Sequence, residues 1–196
     1  PPKAPSEVRS PTGPGVWVVV ELGDDGPQEV TYELLGVAQA LADSIEGHVA
    51  AVLLGGPGVS GYAAVLGQRG ADLVAIAEDE SLADYSTDAY AGTLTNAIKS
   101  REPYGVLLAS SPNGRDLAAR VAGRLELGLT GDCVGLEVDD KGRLVQLKPA
   151  FGGSVVAPIY SGTLPNMATV RAGVLPSLAL ESGRQAAIVQ LDPARN

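Results

Sequence analysis

Short apolar runs alternate with amphipathic stretches over the first two thirds of the chain. Four of these runs are continuous and rich in β-branched residues, which is typical of strands buried on both faces. They cover residues 16–22, 48–55, 71–78 and 104–111. Each is followed by a segment in which apolar residues recur at spacings of three and four, as in a helix. Four successive strand–helix pairs predict a parallel sheet with right-handed crossovers.

Polar residues mark the expected starts of the longer helices. Thr31, Ser86 and Asn113 stand where an N-cap side chain is needed. The helix that Ser86 opens should end before Pro103, and the helix after Asn113 should run to about residue 125. A shorter helix is predicted over residues 62–69, after a glycine-rich turn.

The pattern changes after residue 128. Residues 133–149 alternate apolar and polar positions around Asp140, Lys141 and Gly142, which predicts a β-hairpin. Residues 155–160 and 186–191 indicate further strands. The fold class predicted is therefore α/β, in three α/β/α layers, with a mostly parallel sheet and an antiparallel hairpin extension.

Composition favours one domain between two linkers. Residues 1–15 are rich in proline, serine and glycine and are expected to form a disordered leader or linker. Residues 16–191 form the expected domain, and residues 192–196 the start of a second linker. Hydrophobic residues make up 45% of the chain but aromatic residues only 4%, so the core should consist of Val, Leu, Ile and Ala.

Charge and cysteine content exclude several classes of function. A net charge of −9 disfavours nucleic-acid binding and adsorption to anionic membranes, since both need a basic surface. No apolar run approaches the ~20 residues of a membrane span. The single cysteine, Cys133, cannot form an internal disulfide and fits a reducing compartment such as the cytoplasm. We expect it to be a small buried hydrophobic residue rather than a nucleophile.

The segment 110–125 carries the first candidate site. Asn113 and Gly114 follow a predicted central strand, at the edge where open α/β sheets bind ligands or partners. Asp116, Arg120 and Arg124 form a stripe at spacings of four. That stripe is compatible with a binding face, and equally with ordinary ion pairs along a solvated helix.

Two later segments offer further candidates. Gly152, Gly153 and Ser154 lie between predicted strands and permit a bulge, a close backbone approach or a plain turn. Arg171 follows a short apolar run that contains Thr169, and it could pair with a carboxylate or with the polar edge of a flavin, or form a surface ion pair.

Other familiar chemistry is not supported. The glycine-rich segment 53–67 departs from both the dinucleotide fingerprint and the P-loop, so it is interpreted as a turn. The lone histidine, His48, has no second ligand nearby in sequence for a metal.

Six short motifs occur in a recognisable order over ~155 residues. They are a first strand ending in Glu21, GAD at 70–72, GRDLAAR at 114–120, GLTGDC at 128–133, AFGGS at 150–154 and MATVRAG at 167–173. In amino-acid sequence and in order along the chain, these motifs resemble those of the alpha subunits of electron transfer flavoproteins. Three positions depart from that pattern, where Ala119, Ser154 and Ala172 replace proline, asparagine and proline respectively.

The resemblance implies the amino-terminal domain of such a subunit, with an adenine nucleotide alpha hydrolase-like fold. This domain would pack against a beta subunit and scaffold flavin-mediated electron transfer between flavin-dependent dehydrogenases and an acceptor. The main FAD site would lie in a second domain absent from this chain, with AMP or a second FAD in the partner subunit. The protein would be an electron carrier in a heterodimer, cytoplasmic or, in a eukaryote, in the mitochondrial matrix.

The resemblance and the strand-end positions together give a set of residues expected to face the cofactor or the partner. They are Asn113, Gly114, Arg115, Asp116, Gly152, Gly153, Ser154, Thr169 and Arg171. Two other functions stay open at this point. One is a stand-alone adenine-nucleotide-binding module of the same architecture, and the other is a structural interaction domain without redox function. Because no phosphate-cradling loop is evident, adenine nucleotides are expected to bind weakly.

Overall fold

A central parallel sheet of seven strands organises residues 11–194, the part of the chain described by the computed structural model. In chain order the strands are β1 (Gly15–Val19), β2 (Leu22–Gly23), β3 (Gly26–Pro27), β4 (His48–Gly55), β5 (Leu73–Glu78), β6 (Gly105–Ala109), β7 (Leu129–Cys133), β8 (Gly135–Val138), β9 (Leu144–Ala150), β10 (Val155–Ile159), β11 (Asn166–Val170) and β12 (Ala187–Gln190). The helices are α1 (Glu29–Ser44), α2 (Ala63–Gln68), α3 (Thr87–Arg101) and α4 (Pro112–Leu125). The order across the sheet is β12-β5-β4-β1-β6-β11-β7.

Helices cover both faces of this sheet, so the predicted three-layer fold is confirmed. Alternate residues of β1 enter two separate cores, with Val16 and Val18 on one side and Trp17 and Val19 on the other. Side chains of α1 and α2 fill the first core, and side chains of α3 and α4 fill the second. Every strand pair in the seven-stranded sheet is parallel.

The predicted antiparallel extension is a separate three-stranded sheet, in the order β10-β9-β8. Asp139 holds the turn between β8 and β9, because its carboxylate accepts hydrogen bonds from the backbone N–H groups of Lys141 and Arg143, each at 2.9 Å. Leu136 and Leu144 attach this sheet to the core on the α1 side. Strand β10 forms its outer edge.

Two of the three predicted helix caps were wrong. Gln28, not Thr31, is the N-cap of α1, and Thr31 lies inside the helix, where its hydroxyl accepts a hydrogen bond from Glu21 N–H at 3.0 Å. Ser111, not Asn113, caps α4, since its Oγ accepts from Gly114 N–H at 2.9 Å. Pro112 supplies the first residue of α4, which moves the helix start one residue ahead of the asparagine. Ser86 does hold the N-cap position of α3.

Strands β7 and β11 are not apparent from the sequence pattern. Strand β11 is five residues long and follows a proline, yet it lies inside the sheet between β6 and β7. Its place depends on pairing with strands far away in sequence, which a local hydrophobic pattern does not encode. Strand β1 also ends earlier than predicted, at Val19.

Contacts with the domain begin before the expected boundary at residue 16. Backbone N–H of His48 donates to Pro14 O at 3.1 Å, and the His48 ring contacts Thr12 O. At the other end, Ala194 N–H donates to Thr93 Oγ1 at 2.9 Å, so residues expected to begin a linker pack on α3. The rest of the predicted leader, residues 1–10, and residues 195–196 lie outside the described residues.

Candidate functional site

The direction of the chain across the sheet reverses at β1. Strands β4 and β5 extend the sheet to one side of β1, and β6 and β11 extend it to the other. In open α/β sheets, ligands and partners are bound beyond the carboxyl ends of the strands near such a reversal. Two features lie along this edge: a cluster of charged side chains and a cavity.

The charged cluster is built around a β-bulge in β7. Ala168 pairs with Thr130 and Val170 pairs with Cys133, so β7 has one residue more than β11 over this interval. Asp132 takes up the difference with a φ of 61°, in the left-handed region that non-glycine residues rarely adopt. The buried Thr169 hydroxyl stabilises it by accepting a hydrogen bond from Asp132 N–H at 3.0 Å. The bulge thereby turns the Asp132 side chain toward neighbouring cations.

Three cationic side chains lie near that carboxylate, and Arg171 contacts it directly. Arg171 binds it with two donors, Nε to Oδ1 at 3.2 Å and Nη2 to Oδ2. Arg115 is oriented by a 2.9 Å bond from its Nε to Ser110 O, and Lys148 donates to the carbonyl of Gly131. We call this group the carboxyl-edge cluster. It comprises Arg115, Asp132, Lys148, Thr169 and Arg171.

Electrostatics in the cluster favour an anionic partner. The hydrogen bond from Arg171 holds the pKa of the Asp132 carboxyl below its ordinary value, and the charges of Arg171, Arg115 and Lys148 lower it further. The same hydrogen bond raises the pKa of Arg171. With three cations around one carboxylate, the cluster is locally basic in a chain whose net charge is −9. Guanidinium groups bind carboxylates and phosphates well, often with two parallel hydrogen bonds.

The structure divides the sequence-predicted residues among several places. It brings Arg115, Thr169 and Arg171 together in the cluster. Asn113 and Gly114 instead line the cavity, at the start of α4. Asp116 lies apart from the cluster. Its Oδ2 accepts hydrogen bonds from the hydroxyls of Tyr85 and Thr87, at the start of α3.

The predicted helix stripe behaves as ordinary surface charge. Arg124 pairs with Asp88 of α3 at 3.0 Å, rather than with a residue on its own helix. Gly152 and Gly153 belong to the 3₁₀ turn Phe151–Gly153 between β9 and β10, and Ser154 Oγ donates to Phe151 O at 2.9 Å. These three residues therefore form the plain turn that the sequence left as one alternative.

Sequence reasoning missed Asp132 and Lys148 as members of this site. Asp132 belongs to a motif that carried the family resemblance, but its role depends on a bulge in a strand that was not predicted. Lys148 reaches the cluster only because β9 packs against β7. No local signal in the sequence identifies that contact.

The glycine-rich segment after β4 carries its own anionic ligand. The Glu78 carboxylate accepts hydrogen bonds from Gly58 N–H and from Ser60 N–H, both at 2.9 Å. These bonds hold the pKa of Glu78 below its ordinary value. The backbone donors that a phosphate loop would offer are thus engaged by a side chain, in agreement with the interpretation as a turn.

Cys133 is buried, as the sequence predicts. Burial raises the pKa of the Cys133 thiol to about 11, so it stays protonated and unreactive. Within residues 11–194, no group of three or more His, Cys, Asp or Glu side chains is placed to hold a metal ion. None of the helices in this region is both long and apolar enough to cross a membrane.

Comparison with known proteins decides the family. Residues 16–196 match the family model described as the electron transfer flavoprotein domain. The chain belongs to the electron transfer flavoprotein family. It is 36% identical over 178 residues to an electron transfer flavoprotein subunit alpha of Thermoanaerobacterium thermosaccharolyticum, covering 90% of this chain and 54% of that protein.

Two further relatives support the assignment to this flavoprotein family. Protein FixB of Bradyrhizobium diazoefficiens is 41% identical, with 82% of this chain and 44% of the relative covered. The electron transfer flavoprotein subunit alpha of Clostridium acetobutylicum is 41% identical, with 84% of this chain and 49% of the relative covered. The chain thus spans about half the length of the curated relatives that it matches.

Proposed function

We propose that this chain is the amino-terminal domain of an electron transfer flavoprotein alpha subunit and docks onto a beta subunit. The observation that carries the proposal is the carboxyl-edge cluster, where one carboxylate is bound by Arg171 and has Arg115 and Lys148 nearby, in a chain that is acidic as a whole. A beta subunit that presents carboxylates or a bound phosphate would complement this face. The complex would carry electrons from flavin-dependent dehydrogenases to an acceptor, in the cytoplasm.

An exposed apolar surface beside the cluster supports docking. Phe151 is 87% exposed, and Val155 and Val156 on β10 are about half exposed. Strand β10 also lies at the edge of its sheet. The backbone groups of an edge strand can pair with another chain, and natural proteins usually cover or protect such edges. Lys148 connects the two surfaces, because it lies on β9 three residues before Phe151 and contacts Gly131. The turn Gly152–Ser154 would then contribute to the interface through its position, without binding a cofactor.

This chain fits a position beside a bound flavin better than it fits the flavin itself. The cavity at the carboxyl edge is lined by Glu21 and Asp24, and the described residues that line it include no lysine or arginine. Such a lining does not fit the pyrophosphate of FAD. We therefore propose that FAD is held mainly outside this chain, and that AMP or a second FAD, if present, belongs to the partner. When bound, the flavin supplies the redox chemistry, and this domain orients the parts of the complex that hold it.

The 196-residue chain, purified alone, is expected to lack the visible absorbance bands of flavin. The reason is the acidic lining just described, which repels the phosphates of the cofactor. The measurement is an absorbance spectrum after gel filtration in the presence of excess FAD. Equimolar FAD that co-elutes with the chain would contradict the proposal.

Arg171→Ala is expected to weaken association with the beta subunit by about tenfold or more, because it removes one of the three cations of the cluster and leaves the Asp132 carboxylate without its guanidinium partner, which makes this face less basic. The melting temperature of the chain alone should change little, since the Arg171 side chain is half exposed. The pKa of the Asp132 carboxyl is lower in the folded chain than its ordinary value. The ion pair with Arg171 therefore stabilises the fold at pH values above the ordinary carboxyl pKa, and this stabilisation is lost on acidification. Both measurements therefore belong at neutral pH.

Arg124→Ala is the matched control for Arg171→Ala. It also removes an arginine from an exposed ion pair with an aspartate, but on helices α3 and α4. It should leave association unchanged. If both variants bind the beta subunit as the parent chain does, the cluster is not the docking face. If Arg171→Ala mainly lowers the melting temperature and binds normally, Arg171 is structural.

A further inference from the structure

The cavity at the carboxyl edge is distinct from the carboxyl-edge cluster and has a defined shape. It measures about 300 Å³, at the lower end of the range for small-molecule sites. Its floor is apolar and consists of Leu54, Leu108 and Leu117 from β4, β6 and α4. It lies at the carboxyl ends of the central strands β1, β4 and β6, where the chain reverses direction across the sheet.

One wall of the cavity is aromatic and held in place. The rings of Tyr85 and Tyr90 are 5.1 Å apart and inclined at 58°. Each hydroxyl has an acceptor in the surrounding structure, at 2.8 Å from Tyr85 to Asp116 Oδ2 and at 2.9 Å from Tyr90 to Leu82 O. Because these bonds fix both rings before any ligand arrives, binding requires little further ordering of the wall.

The charged side chains that line the cavity are acidic. They are Glu21 and Asp24, and none of the described lining residues is a lysine or arginine; Asp116 accepts a hydrogen bond from the lining residue Tyr85. Burial raises the pKa of the Tyr85 hydroxyl to about 12, and the hydrogen bond to Asp116 and the charges of Asp116 and Glu21 contribute to the shift. A phosphate at this position would be repelled, whereas a cation would be attracted.

We propose that this cavity binds a small organic cation with a flat apolar body. The apolar body would lie on the leucine floor, and the charged group would lie between the carboxylates of Glu21 and Asp24. The tyrosine faces would add cation–π attraction, which is strongest when the cation is desolvated. This site shares no residue with the carboxyl-edge cluster, so the proposal does not rest on beta-subunit docking.

Three ligands of nearly the same shape test the proposal directly. Benzamidine is cationic, benzamide is neutral and benzoate is anionic at pH 7.5. Calorimetric titration of each into the 196-residue chain should show benzamidine binding about tenfold more tightly than benzamide, with benzoate weaker still. AMP, titrated in the same way, should bind more weakly than benzamidine. Benzoate or AMP binding as tightly as benzamidine would overturn the proposal and favour the adenine-nucleotide module.

Variants locate the binding. Asp24→Asn should reduce the preference for benzamidine over benzamide severalfold, because Asp24 lines the cavity. Asp25→Asn removes the same charge one residue further on, from a position outside the lining, and should leave the preference unchanged. Equal effects of the two variants would show that the general acidity of the surface is responsible, and the cavity assignment would be wrong.

A third variant fills the cavity without disturbing the core. Ala83 lines the cavity and is exposed, so Ala83→Trp should keep the parent melting temperature while occupying the space. Benzamidine binding should then fall below detection. Binding that survives in folded Ala83→Trp chain would place the cation elsewhere and overturn the proposal.

Discussion

Gly114→Ala should lower the free energy of unfolding by about 3 kcal/mol, with a fall in melting temperature of roughly 6–12 °C. A Cβ on Gly114 would stand 2.0 Å from the carbonyl oxygen of Ala109, which belongs to β6 and cannot move aside. The helix must approach the strand this closely because the Ser111 cap already fixes the Gly114 amide. Thermal and denaturant unfolding, followed by circular dichroism, provide the measurement.

Gly123→Ala is the matched control on the same helix. A Cβ at Gly123 would meet nothing within 4 Å, so alanine there should be neutral or stabilising by up to about 1 kcal/mol through its higher helix propensity. The two variants make the same chemical change and should have opposite signs. Similar stabilities for both would show that α4 does not approach β6 as closely as described.

Glu33→Gln should lower the free energy of unfolding by about 1.5–3 kcal/mol, the usual range for hydrogen bonds to a charged group. Glu33 is only 7% exposed, and its carboxylate accepts hydrogen bonds from Gly173 N–H at 2.9 Å and from Leu175 N–H at 3.4 Å. In glutamine an NH2 group, which cannot accept, replaces one carboxylate oxygen, so Gly173 N–H, which contacts both Oε1 and Oε2, loses one of its two acceptors, and the remaining bonds lose the negative charge that strengthens them. Amide hydrogen exchange at Gly173 and Leu175 should accelerate in the variant.

Glu29→Gln tests whether this effect is specific. Glu29 is exposed in the first turn of the same helix and has the same charge to lose. Its replacement should cost no more than a few tenths of a kcal/mol, through the weaker interaction with the helix dipole, and should leave the loop after β11 unchanged. Unaltered exchange at Gly173 in Glu33→Gln would mean that the loop is held by other contacts.

The sequence predicts the parallel core well because local pattern and final structure agree there. Strands β1 and β6 are buried throughout, and β4 and β5 are buried except at His48 and Glu78, so each appears as a nearly continuous apolar run. Strands β7 and β11 do not, since Gly131 and Asp132 interrupt β7 and β11 depends on distant partners. The two helix caps were predicted wrongly for a different reason. Several polar residues lie near the start of each helix, and the path of the chain decides which of them occupies the N-cap position.

The sequence identifies the arginines of the candidate site but not how its side chains are arranged. Arg115 and Arg171 stand out as cations that follow apolar runs, and both belong to the cluster. Their common partner, Asp132, becomes visible only when the bulge in β7 is known. Lys148 arrives from the small antiparallel sheet, whose packing against the main sheet has no local signal. The sequence therefore identifies the charges that face the solvent and misses the contacts that orient them.

The Glu78 carboxylate binds backbone amides of the segment that follows β4. An internal anion occupies the Gly58 and Ser60 amides that an external phosphate would need, so a nucleotide would have to displace a tethered competitor. Tethering gives that competitor a high effective concentration at every nucleotide level. The Glu78 carboxylate thus disfavours nucleotide binding at this segment. A domain built this way should respond little to changes in the concentration of ATP around it.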